Sequence, residues 1–216
     1  MKIVKYPHPA LRHKSRGLTI IDKQVRLYAA RMLELMYEAK GLGLAANQVA
    51  LPFRLLVMNA TADPQQREHE HVLINPQILD RKGSMEGEEG CLSFPELFQK
   101  IRRAKTVTVQ AYNLEGQAIE ITCSDLPSRI LQHEIDHLDG VLFIDKMGTI
   151  AKLSSRGSLR ALENDYRRAQ ERGEIPPDAD ILKMLAALEA SPDHLPPPGP
   201  PEPPAPGGDG QPPPLM

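Results

Sequence analysis

The chain has 216 residues, enough for one domain with a buried core and sequence left over. Charged residues make up 25% at a formal net charge of −2. That balance lacks the basic excess a polyanion needs, so direct DNA binding is not expected. No apolar run approaches the roughly 18–20 residues of a membrane span. The opening MKIVKYPHPALRHKSRG has no apolar stretch of the kind a signal peptide needs. A bacterial-type cytoplasm is the expected setting, with Cys91 and Cys123 as free thiols rather than a disulfide.

In chain order, QVRLYAARMLELMYEAKG repeats apolar residues at helical spacing, with Asp22 as N-cap and Gly41 as the stop. A Gly-rich turn follows. FRLLVMNA reads as a buried strand and HVLINPQIL as another, broken before Pro76. KTVTVQAYNLEGQAIEITCSD holds two β-runs joined near Leu114–Gly116, a hairpin in which Cys123 plays a structural part. Pro127 stands where a first helical turn tolerates it, and SRILQHEIDHLDG continues that helix to Gly140. A further amphipathic helix is expected from about Ser158 to Arg172, and a short apolar one, ILKMLAALEA, after Asp178–Asp180. From Ser191 the chain carries more than half of its 21 prolines and few core-forming side chains, the composition of a disordered, partly polyproline tail. The pattern predicts an α+β fold: antiparallel or mixed β-sheets around a central metal-binding helix, with N- and C-terminal helices.

His133 and His137 stand four apart, so a helix aims both imidazoles at one point. Glu134 between them has the place of a general base beside a metal-activated water. Such a metal needs a third protein ligand. A metzincin would put a histidine where Phe143 stands, so that completion fails. A thermolysin-like neutral metallopeptidase would take a downstream carboxylate, for which Glu163 is the candidate. Chemistry favours Cys91, which sits in EEGCLSFPE near Gly87 and Gly90 rather than in an apolar alternating run. A thiolate with two imidazoles leaves a tetrahedral metal one open, catalytic position. Gln132 and Asp136 flank the histidines as candidates to orient them. Outside enzymes, the alternative is a binding module with a degenerate metal site, its proline tail recruiting partners with aromatic grooves.

GLGLAANQV (Gly41–Val49), EGCLS (Glu89–Ser93) and QHEIDHLDG (Gln132–Gly140) resemble the three signature motifs of peptide deformylases, in that family's order. The likeness runs from KYPHPALR to about residue 150. It implies removal of the formyl group from the formylmethionine of N-formylmethionyl nascent peptides, and Fe²⁺ held by Cys91, His133 and His137. The same ligands would accept Zn²⁺, Ni²⁺ or Co²⁺. By resemblance Glu134 is the acid/base catalyst, while the Gln48 amide and the Leu92 backbone N–H stabilise the oxyanion. Leu42, Gly43, Gly90, Leu126 and Ile130 match positions that bind substrate. Two departures stand out: Phe98 where the family often has Arg, and Leu126-Pro127-Ser128 where Leu-Leu-Ala is usual. The expected organisation is a catalytic domain over residues 1–172, a linker with a short helix over 173–190, and the tail over 191–216. Lys152, Arg156, Arg160, Arg167, Arg168 and Arg172 form a basic C-terminal face, for which the resemblance implies docking near the ribosomal exit tunnel.

Overall fold

The computed structural model describes residues 1–190; the proline-rich segment lies outside the described residues. Asp22 caps the first helix, α1 (Lys23–Glu38), its carboxylate accepting the Val25 N–H at 2.9 Å. That helix ends differently from the sequence expectation. Lys40, not Gly41, takes the left-handed conformation, and the Gly41 N–H closes the turn onto the Met36 carbonyl. Gly41 is small for another reason: a Cβ there would lie 2.6 Å from Leu92 Cδ1.

Five antiparallel strands form the main sheet in the order β1-β2-β3-β6-β7. These are β1 (Gly43–Ala45), β2 (Leu55–Met58), β3 (His71–Lys82), β6 (Thr106–Tyr112) and β7 (Ala118–Ser124), with β6 and β7 paired as the expected hairpin. Alternation along β2 shows how the layers separate. Leu55 and Val57 pack with Val25, Met32 and Met36 of α1, whereas Leu56 and Met58 face the opposite core. Strand β3 is not cut before Pro76. It continues through a bulge between Ile74 and Gln77, with Asn75 left-handed, because a proline inside a ladder needs such an irregularity.

The second helix, α2 (Asp125–Leu138), lies against the opposite face of the sheet through Ile130, Leu131, Ile135 and Leu138. It stops at Gly140, whose φ of +73° and close approach to the Arg12 carbonyl, 2.6 Å from where a Cβ would stand, both require glycine. Its other side meets a two-stranded hairpin absent from the sequence reading, β4 (Met85–Cys91) with β5 (Phe94–Arg103). Cys91 therefore ends a strand, although no apolar alternation surrounds it. Phe94 of that hairpin stacks on Tyr6 and meets Phe143 edge-on at 5.2 Å. Phe143, where a metzincin would carry a ligand, is thus core.

The C-terminal region holds α3 (Thr149–Ser154) and α4 (Arg156–Glu171), one helix more than expected there, and α5 (Asp178–Ala190). Ile181 and Leu185 of α5 bury against Ala10, and His13 and Arg16 bond Glu189 at 2.9 and 2.8 Å. The N-terminal segment is tied to the rest by backbone bonds from Val4 to Gln48, Tyr6 to Ser93 and Ser15 to Leu138. Among the described residues no helix is long and apolar enough to cross a membrane.

His8 caps the short turn Pro9–Arg12, its Nδ1 accepting the Ala10 N–H at 3.2 Å. Burial lowers its pKa from 6.5 to about 4, with Asp178 opposing and Lys2 assisting. The unfolded chain takes up this proton before the folded one does. Stability from neutral His8 is therefore complete above pH 6.5 and drains away as pH falls toward 4. His8→Asn keeps a capping acceptor but removes the proton. Its urea midpoint is expected to fall less than the wild type's between pH 6.5 and 4; parallel curves would refute this.

Candidate metal centre

Two elements bring the candidate ligands together: α2 supplies His133 and His137 one turn apart, and the end of β4 supplies Cys91. Cys91 Sγ lies 3.2 Å from His137 Nε2, which lies 3.2 Å from His133 Nε2. All three side chains are buried, and the donor atoms lie within 4.8 Å of one another. Tetrahedral ligation at roughly 2.0–2.3 Å separates donors by about 3.4–3.6 Å. Two imidazole nitrogens and a sulfur facing one another at this range fit a shared cation. Their surroundings treat the two histidines oppositely: burial, with His133 beside it, holds the pKa of His137 down. Burial opposes protonation of His133, yet Cys91 and Glu89 outweigh it and raise its pKa.

Glu89 is the functional neighbour that sequence reasoning missed. Its Oε1 accepts from His133 Nδ1 at 2.7 Å, which leaves Nε2 of that ring to face the ligand cluster. Burial alone would raise the pKa of Glu89, but His133 and Arg103 more than compensate and hold it well below the ordinary range. Arg103 Nε and Arg129 Nη1 each donate to it at 3.0 Å, so the buried charge is fully paired. The flanking residues named earlier do other work. Asp136 pairs with Arg103 and Lys146, and Gln132 bonds the Ala104 backbone. The signal available in the sequence was an acid two positions before a cysteine, between glycines.

Glu134 is 2% exposed, and its Oε2 has no hydrogen-bond partner among the described residues. Burial raises its pKa to about 7. The carboxylate fits only because residue 43 is glycine: a Cβ there would lie 2.6 Å from Oε1 and 2.9 Å from Cδ. Leu42, Gly43, Gly90 and Ile130 line a small cavity with Glu134 and His133, of about 10 Å³, the room of one water. Leu126 stands one turn before Ile130, packs against the core between α2 and the sheet, and does not line that cavity. The Phe98 ring covers Gly90, where a Cβ would meet Cε1 at 2.4 Å.

Gln48 is pinned by its Oε1, which accepts the Ala45 N–H at 2.8 Å. Its Nε2 points to Cys91 Sγ at 3.5 Å and Ser93 Oγ at 3.3 Å. Ser93 N–H also donates to Cys91 Sγ, at 3.4 Å, so the sulfur sits among donors suited to a thiolate. The Leu92 carbonyl accepts Lys5 Nζ at 2.6 Å, fixing the peptide that carries the next turn. Glu163 takes no part: it lies on α4 and accepts from Tyr6 Oη at 3.1 Å. The thermolysin-like completion loses its ligand.

The family model described as polypeptide deformylase matches residues 1–153. The chain belongs to this family. A peptide deformylase of Rhodopirellula baltica is 40% identical over 190 residues, spanning 88% of this chain and 94% of that protein. One from Acidobacterium capsulatum is 45% identical over 150 residues, spanning 69% and 88%. Among solved structures, an Arabidopsis thaliana peptide deformylase 1B superposes with a TM-score of 0.76 at 39% identity, covering 82% of this chain and 96% of that one. The Plasmodium falciparum enzyme gives 0.75 at 40% identity, covering 77% and 98%. As a deformylase the chain is a hydrolase that removes the N-formyl group from nascent peptides.

Proposed function

We propose that Cys91, His133 and His137 hold one Fe²⁺ and that Glu134 moves the protons of deformylation. The observation that carries this reading is the convergence of one sulfur and two Nε2 atoms beside a buried carboxylate oxygen that has no partner among the described residues. A divalent cation there supplies Lewis acidity that lowers the pKa of water and polarises the formyl oxygen. Water adds to the formyl carbon while Glu134 accepts its proton. The C–N bond then breaks, and Glu134 delivers that proton to the departing peptide amine, leaving formate. Gln48 Nε2–H and the Leu92 N–H donate to the oxyanion between these steps. The bonds that Gln48 makes to sulfur and to Ser93 are long, so an oxyanion can displace one of them.

Leu42, Gly43, Gly90, Leu126 and Ile130 receive the methionine end of the substrate in this reading. The cavity beside Glu134 must widen to admit a side chain. The ligand set accepts Zn²⁺, Ni²⁺ and Co²⁺ as well; a soft thiolate with two imidazoles does not by itself select iron. Anaerobic turnover of a formyl-Met peptide, alongside metal analysis of the purified protein, tests the proposal. One equivalent of iron with release of formate supports it; an active protein free of transition metal would refute it.

A cytoplasmic setting and docking near the ribosomal exit tunnel complete the reading. Lys152, Arg156, Arg160, Arg167, Arg168 and Arg172 are all exposed. Reversing Arg160 and Arg167 to Glu should weaken co-sedimentation with ribosomes at moderate salt while leaving turnover of a short formyl peptide unchanged.

A further inference from the structure

Each candidate ligand has a neighbour that fixes it: Glu89 holds His133, and Gln48 with Ser93 donates to Cys91. For His137 the structure offers Asn47, in the turn Ala46–Val49 between β1 and β2. Asn47 is fully buried, and its Nδ2 donates to the main-chain carbonyl of His137. Two buried atoms on these bonded residues lack a partner among the described residues, Asn47 Oδ1 and His137 Nδ1. They are complementary. Because His137 Nε2 faces Cys91 and His133, a neutral, ligating His137 carries its proton on Nδ1. That leaves one buried donor and one buried acceptor, and a buried polar group left unmet forfeits its hydration with nothing in return.

We infer that Asn47 is the positioning residue of His137, its Oδ1 accepting from Nδ1–H through one buried water while its Nδ2 holds the backbone. This deepens the metal reading and rests on it. A single water with polar partners on both sides satisfies both groups. It gives His137 the outer hydrogen bond that Glu89 gives His133, with a neutral amide in place of a charge.

Co²⁺ is the probe, since its affinity is measured by chelator competition and its absorption reports ligand geometry. Asn47→Leu removes donor and acceptor while keeping the number and branching of side-chain heavy atoms. It is expected to weaken Co²⁺ binding about 10- to 100-fold and to alter the Co²⁺ absorption band. Asn47→Thr keeps an acceptor oxygen and is expected within about threefold of wild type. Wild-type affinity in Asn47→Leu, or no recovery in Asn47→Thr, would overturn the inference. Should Asn47→Leu fail to fold, a high-resolution crystal structure of the Co²⁺-loaded wild type decides. An ordered water within hydrogen-bond reach of Asn47 Oδ1 and His137 Nδ1 supports the inference, and its absence refutes it. A wild-type chain that takes up no Co²⁺ would instead overturn the metal reading, and this inference with it.

Discussion

Cys91→Ser is expected to lower Co²⁺ or Fe²⁺ affinity about 10³-fold while leaving the metal-free fold largely intact. Structural zinc sites with four protein ligands bind with about 10–16 kcal/mol, which sets the scale per ligand. Losing one of three protein ligands forfeits on the order of 4 kcal/mol, since a serine hydroxyl stays protonated where a thiolate would ligate. Serine is close to cysteine in volume, and the Gln48 and Ser93 donors that face Sγ can bond its oxygen. The unfolding midpoint of the metal-free variant should therefore stay near the wild type's. Glu163→Gln is the paired control. Glu163 lies on α4, where its carboxylate accepts from Tyr6 of the N-terminal segment, so metal affinity should not change. Equilibrium dialysis of the three proteins decides between the ligand sets; retention of metal by Cys91→Ser would remove Cys91 from the site.

The second large effect belongs to Glu134→Gln. The amide is isosteric, so it keeps its place against Gly43 and under the shell formed by Leu42 and Ile130. It cannot accept a proton from water or return one to an amine. General acid–base groups contribute roughly 10²–10⁴-fold, and here one residue serves both transfers, so a fall in kcat of about 10³ or more is expected. Metal content should be that of the wild type, because Glu134 is not among the converging donors. A variant that loses metal as well as activity would make Glu134 a ligand or a support for one, and would sink the assigned role.

Much of this site could be read before any coordinates. The i, i+4 histidines with an intervening acid on a helical segment fixed the direction of three side chains, because helical geometry leaves no choice. Asp22 announced the start of α1, and alternation announced the β6–β7 hairpin. The hairpin carrying Cys91 escaped for a physical reason. MEGEEGC offers no apolar alternation, and its partner strand spaces Phe94, Leu97 and Ile101 by three and four, as a helix would. That spacing arises because Glu96 is left-handed and the ladder slips between Glu89 and Cys91, shifting the pleat. Glu89 was invisible for a related reason. Its worth depends on meeting Arg103, Arg129 and His133, which only the folded hairpin and helix bring together. Asp136 and Gln132, nearer in sequence to the histidines, lie on the wrong side of the helix to serve them.

The ties made by the first sixteen residues carry a kinetic consequence. Val4 reaches Gln48, Tyr6 reaches Ser93, Ser15 reaches Leu138, and Arg16 and His13 reach Glu189. Every stretch that carries a candidate ligand is thus closed against the start of the chain, and the ties as a set span separations from 44 to 176 residues (His133 and His137 on the helix that ends at Leu138). Contacts this distant cost chain entropy before they return any stabilisation, and they slow folding accordingly. During synthesis the beginning of the chain emerges first and its partners much later. An enzyme built this way matures late: its reaction centre assembles only after the chain has left the ribosome through Leu138.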